Sequence, residues 1–127
     1  MRITHTSVFV SDQARAEEFY TESLGFVKKQ DVPVGEYRWL TVVSPDDPDG
    51  TELLLEPNDN PVSQAYQKGI FEQSIPAASF GVSDIRAEHE RLKSLGVAFA
   101  MEPTEVAGVT IARFEDTCGN LIQIVET

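Results

Sequence analysis

The chain has one cysteine, Cys118, among its 127 residues, so no intrachain disulfide can form. That economy fits a reducing compartment, and a cytoplasmic location is expected. Basic residues are also scarce: 10 Lys and Arg stand against 21 Asp and Glu, a formal net charge of −11. Binding a phosphate backbone or an anionic lipid surface needs a basic face, so neither nucleic acid nor a membrane is an expected partner. No apolar run approaches the ~20 residues of a membrane span. Met1 to Val10 contains Arg2 and His5 and reads as a strand rather than a leader. There are only two histidines, His5 and His89. No nucleotide cofactor is expected.

What is present is enough for a core: 41% hydrophobic residues, including seven Phe. The length suits one compact domain or two small modules sharing a core. An internal repeat decides the organisation. Ser7-Val8-Phe9-Val10-Ser11-Asp12 leads into a helical stretch ending Ser23-Leu24-Gly25-Phe26. Ser79-Phe80-Gly81-Val82-Ser83-Asp84 leads into another ending Ser94-Leu95-Gly96-Val97. Each copy closes on an apolar strand, Thr51 to Pro57 and Asn120 to Thr127. The predicted fold class is α+β: two βαβββ modules forming a curved, partly closed mixed sheet with a central cleft. Module one spans 1–60 and module two 77–127. The polar stretch 61–76 between them is a linker with one short helix around Val62 to Lys68.

Local signals support these elements. Asp12 and Asp84 stand at helix N-caps. Ala16, Phe19, Tyr20, Ser23 and Leu24 form one amphipathic stripe, and Ile85, His89, Leu92 and Leu95 form its counterpart. Gly25 and Gly96 end the helices. Short strands are expected over Phe26 to Asp31 and Val97 to Met101. Asp116 to Asn120 is a hairpin turn with Gly119 at positive φ.

His5-Thr6, Val10 and Asp12, then Phe19-Tyr20 and Leu24-Gly25-Phe26, together resemble the vicinal oxygen chelate superfamily. That group includes glyoxalase I, extradiol dioxygenases, fosfomycin-resistance enzymes and bleomycin-resistance proteins. Phe114 to Gln123 is similar to the family's closing hairpin. The resemblance implies a divalent metal (Ni, Zn, Mn or Fe) held by the first and last strand of each module. Carried over residue by residue, it gives His5, Glu56 and Gln123 as metal ligands, with Glu56 also catalytic. The remaining first-strand position is Ala77, which offers no lone pair. Gln123 stands where a proton-moving glutamate is usual, and an amide cannot accept that proton. His89 lies on a helix stripe, away from the cleft, so the ligand set of extradiol cleavage is not met.

Two readings follow. The first is a divalent-metal-dependent lyase or isomerase acting on a small oxygenated metabolite or thiol adduct. The second is a metal-free protein that sequesters a drug, as bleomycin-resistance proteins do; these are similarly acidic and hold a cationic drug in a dimer groove. In either reading the partner is a small molecule, with Trp39 and Tyr37 as candidate substrate-binding residues. Arg38 points opposite Trp39, and the sequence does not say which of the two faces lines the cavity. The resemblance also implies a homodimer, which would cover open sheet edges.

Overall fold

A computed structural model describes residues 1–127. The chain folds as two compact units, Met1–Ala65 and Tyr66–Thr127. The first contains β1 (His5–Val10), α1 (Gln13–Glu18), β2 (Val27–Val34), β3 (Tyr37–Val43) and β4 (Glu52–Pro57). Helix α2 (Pro61–Glu72) carries the division between the units. It occupies most of the expected linker and runs further than the short helix read from the sequence. The second unit contains β5 (Ala78–Val82), α3 (Ile85–Ser94), β6 (Phe99–Val106), β7 (Val109–Glu115) and β8 (Leu121–Glu126).

Each unit holds a four-stranded mixed sheet, ordered β1-β4-β3-β2 and β5-β8-β7-β6. The first and last strands of each unit pair in parallel, and the other pairs are antiparallel. Neither sheet closes into a barrel. The repeat extends to register: Ser7 lies across from Leu54, and Ser79 across from Gln123. Positions 72 residues apart are therefore structural equivalents on the first strands, and Leu54 answers to Gln123.

Asp12 and Asp84 cap their helices, accepting from Arg15 N and Ala87 N at 3.0 Å each. Helix α1 continues as a wide π-type turn over Phe19–Ser23, with Leu24 N donating to the Phe19 carbonyl at 3.1 Å. The bulge turns Phe19 and Tyr20 together into the core, where both are buried. In α3, Ile85, His89 and Leu92 are buried, but Leu95 is 55% exposed. The expected stripe thus stops one residue early, because Leu95 already belongs to the turn into Gly96. His89 is buried, set edge-on to Phe99 with ring centroids 4.6 Å apart.

Strands β2 and β6 run past the expected stops at Asp31 and Met101. Val34 pairs with Tyr37 and Val106 with Val109, so each hairpin needs only two turn residues. Ala107 and Gly108 both take positive φ, 53° and 86°, the conformation that matches strand twist. No helix is long and apolar enough to cross a membrane.

Candidate functional site

Alternation along the strands separates two faces of the first sheet. Val8, Val10, Leu40, Val42, Leu53 and Leu55 are buried on the side of α1. His5, Ser7, Phe9, Trp39, Thr41, Glu52, Leu54 and Glu56 share the opposite face, as their pairings require. Arg38 lies on the α1 side, ion-paired to Glu17 and, at 2.7 Å, to Asp31. Trp39 therefore stands on the face away from α1, and the pocket at this end of the strands takes lining from both sides, Arg38 as well as Trp39.

A pocket of about 320 Å³ opens on this unit, lined by Val34, Tyr37, Trp39, Leu54, Glu56 and Pro57 among others. It lies where a ladder stops: β3 and β4 pair at Thr41–Leu54 and Val42–Leu53. Beyond those rungs Gln13 takes up backbone groups of both strands. Its Nε2 donates to the carbonyls of Arg38 (2.7 Å) and Leu55 (2.9 Å), and its Oε1 accepts from Arg38 N (3.0 Å). One amide thus satisfies three backbone groups that the ladder would otherwise pair. The second unit serves as an internal control: there β7 and β8 pair at five rungs, Ile111–Val125 to Glu115–Leu121. The position equivalent to Gln13 is Ile85, which has no side-chain amide.

The pocket is mostly apolar in its walls, with Glu56 and the ion-paired Arg38 as its charged lining. The Tyr37 hydroxyl is pushed above its usual range, first by loss of hydration and then by Asp59 and Glu36. It stays protonated at neutral pH and can donate a hydrogen bond.

Beside the pocket runs a directional polar chain. Trp39 Nε1 donates to Gln30 Oε1 at 2.9 Å, and Gln30 Nε2 donates to Glu52 Oε1 at 2.9 Å. Thr41 Oγ1 donates to the same Glu52 oxygen at 2.7 Å. His5 Nε2 lies 3.3 Å from Glu52 Oε2, and its Nδ1 is 3.0 Å from Thr4 Oγ1. The His5 and Trp39 rings are 5.9 Å apart. An indole only donates and a carboxylate only accepts, so the Gln30 amide has one workable orientation between them. Trp39 is thereby fixed as one wall of the site.

The register separates two residues that the sequence reading joined. His5 is across from Glu52, while Glu56 is across from Phe9. The two rungs are four residues apart, about 13 Å of strand. Glu56 lies at the pocket and His5 at the far end of the polar chain. Gln123 belongs to the second unit, where its Oε1 accepts from Arg113 Nε at 3.1 Å and its Nε2 donates to Ser79 Oγ at 3.3 Å. The repeat equivalents of the expected metal positions are His5, Leu54, Ala77 and Gln123, which supply one imidazole and one engaged amide. No three His, Cys, Asp or Glu side chains gather as donors in either unit. This donor set does not fit the family's metal.

Gln13, Gln30 and Glu52 escaped the sequence reading. Glutamine carries no periodic signal, and only the strand register puts Glu52, rather than Glu56, beside His5.

Comparison with known proteins agrees with the fold. Residues 2–124 match the Glyoxalase/Bleomycin resistance protein/Dioxygenase superfamily. The chain is 63% identical over 126 residues to YurT of Bacillus subtilis (strain 168), an uncharacterized protein, covering 99% of each. It is 28% identical to a probable lactoylglutathione lyase of Vibrio cholerae, covering 98% of this chain and 90% of that protein. Among solved structures, UcmS2 superposes with a TM-score of 0.85 at 34% identity, covering 100% of this chain and 98% of the other. TnmS3, an antibiotic-binding protein from Streptomyces sp. CB03234, gives 0.78 at 29% identity, covering 99% and 95%. The repeat, the two mixed sheets and these matches place the chain in the Glyoxalase/Bleomycin resistance protein/Dioxygenase superfamily.

Proposed function

We propose that this protein binds and sequesters a planar organic molecule bearing a basic group, without metal chemistry. The observation that carries this reading is the pocket beside the end of the β3–β4 ladder, where Gln13 holds the backbone of both strands and Trp39 forms one wall. A void of about 320 Å³ is within the range of small-ligand sites. Trp39 and Tyr37 supply flat surface for stacking. Arg38 also lines the pocket but is paired to Glu17 and Asp31, so Glu56 in the lining, with Glu36 and Asp59 beside Tyr37, favours a cationic group over an anionic one. The antibiotic-binding role of TnmS3 supports the same class of function. The ligand is held as a guest, and its bonds stay intact.

A lyase or isomerase reading draws on the name of the Vibrio cholerae relative and on the His5–Glu52 pair. It needs a divalent metal to polarise the substrate, and the donors described above do not supply the set. We also propose that the protein works as a homodimer. Val27, Val32 and Val34 on the outer strand β2 are 48–59% exposed, an apolar edge that a second copy would cover.

Calorimetric titration with proflavine, a planar aromatic cation, tests the binding reading. The wild-type protein should bind it saturably. W39L should weaken binding about tenfold, the scale of one aromatic stacking partner. E56Q should weaken proflavine binding while leaving that of a neutral acridine unchanged. Equal affinity in wild type and W39L would overturn the assignment of this site, and turnover of a hemithioacetal by the metal-loaded protein would favour the lyase.

A further inference from the structure

The second unit carries a charge that nothing within that unit answers. Only two basic residues are half-buried, Arg38 and Arg113. Arg38 is closed off by Glu17 and Asp31. Arg113 meets no acidic residue of its own unit. Its Nε donates to Gln123 Oε1 at 3.1 Å and its Nη1 to the Ser74 carbonyl at 3.2 Å. Ser74 itself sits at φ 59°, a conformation that costs a non-glycine residue free energy. Both partners are neutral. They aim the guanidinium without neutralising it, which leaves a half-desolvated positive charge in search of an anion.

The surroundings supply more of a site. Arg113 pairs with Gln123 across β7 and β8, and Gln123 pairs with Ser79 across β8 and β5. The three side chains make one row on the face opposite α3, since Ala112, Phe114, Ile122 and Ile124 are buried on the other side. Gln123 Nε2 donates to Ser79 Oγ at 3.3 Å, so the Ser79 hydroxyl keeps its own proton to give away. Arg113 Nη2 makes no hydrogen bond or ion pair. The equivalent row in the first unit is Thr41, Leu54 and Ser7, which has no cation.

We propose that Arg113, Gln123 and Ser79 form an oxyanion subsite that takes the carboxylate or phenolate of a small organic ligand. Arg113 Nη2 and the Ser79 hydroxyl donate to the anion, and Gln123 sets the pitch of the guanidinium. With a net charge of −11 the protein repels free anions at long range, so the row selects by short, charge-assisted hydrogen bonds. The proposal goes beyond the first-unit pocket and stands on the second unit alone.

The test compares sodium benzoate with benzamide, which has the same shape and no charge. The readout is the Arg113 Nε–H proton resonance, assigned by its disappearance in R113Q. Benzoate should shift it saturably, and benzamide should bind at least about tenfold more weakly, the scale of one charge-assisted hydrogen bond. By calorimetry, R113Q should lose benzoate binding and S79A should weaken it. R113K keeps the charge and the aliphatic stem but not the fork, and should fall between wild type and R113Q. If R113Q does not fold, R113K and S79A carry the comparison. Titration with 4-nitrophenolate distinguishes the two oxyanions. Benzamide matching benzoate, no saturable shift at millimolar benzoate, or wild-type affinity in both R113K and S79A would each overturn the proposal. The first-unit pocket is read separately at Trp39, so failure at either place is recognisable.

Discussion

Arg38 and Arg113 show how one side-chain type takes different work from its neighbours. Arg38, with Glu17, Asp31 and Lys28, forms a network on the α1 side of the first sheet. The Arg38 guanidinium and then the Lys28 ammonium hold the Asp31 carboxyl well below the usual range. Glu17 is lowered mainly by Arg38, against an opposing effect of burial. A carboxyl with a depressed folded-state pKa stabilises the fold above its ordinary range, and that contribution is lost as pH falls through the depressed value. The urea midpoint should therefore hold steady from neutral pH to about pH 5 and decline below about pH 4. R38M should flatten that decline; an unchanged acid slope in R38M would show that the pairs contribute nothing. Gly119 is a second telling position. Its φ is +98°, and an added Cβ would sit 2.8 Å from Gln67 Nε2. G119A should cost about 1–3 kcal/mol in denaturant unfolding.

At the scale of elements, the pocket lies where the β3–β4 ladder stops, and Gln13 at the start of α1 satisfies backbone groups there through one amide. Gln13→Leu would leave Arg38 N and the carbonyls of Arg38 and Leu55 without that partner. We expect a loss of about 1–3 kcal/mol in stability and weaker proflavine binding. A fully stable variant with unchanged binding would mean that the Gln13 bonds do not shape the pocket. The closing turn of the second unit is fastened in a similar way. Asp116 Oδ1 accepts from Cys118 N at 2.8 Å and Asn120 N at 3.0 Å, and Gln67 Nε2 donates to the Cys118 carbonyl at 2.9 Å. The sequence made much of this readable. The N-cap aspartates, the stripe of Ala16, Phe19 and Tyr20, and the Gly119 turn all depend on neighbours a few residues away, and local pattern records such neighbours. Long-range register leaves no such trace. Nothing near Glu52 or Glu56 says which one stands beside His5, because that depends on how β1 slides along β4. Helix α2 was underestimated because its polar, Gln-rich face hides the helical period.

On the scale of the molecule, the duplication is a comparison that the protein makes with itself. The same βαβββ plan yields a five-rung β7–β8 ladder in one unit and a two-rung β3–β4 ladder in the other. It gives one unit a cation with neutral partners and the other a pocket with Glu56 in its lining. Family membership fixes this scaffold and leaves the chemistry to the residues on it. The proposed homodimer belongs to this scale as well. Light scattering should give about twice the 14.1 kDa chain mass. Val32→Lys, on the exposed edge, should shift the protein toward the monomer, whereas a monomer at high concentration in the wild type would remove the proposal.

Trp39 is the only tryptophan, so its emission reports on the pocket wall alone. The most direct measurement is a proflavine titration of EDTA-stripped protein followed at Trp39, repeated after addition of Ni²⁺. Saturable quenching with the same midpoint in both would agree with a metal-free binding site. Quenching that is absent from the stripped protein, or that appears only once Ni²⁺ is restored, would contradict it.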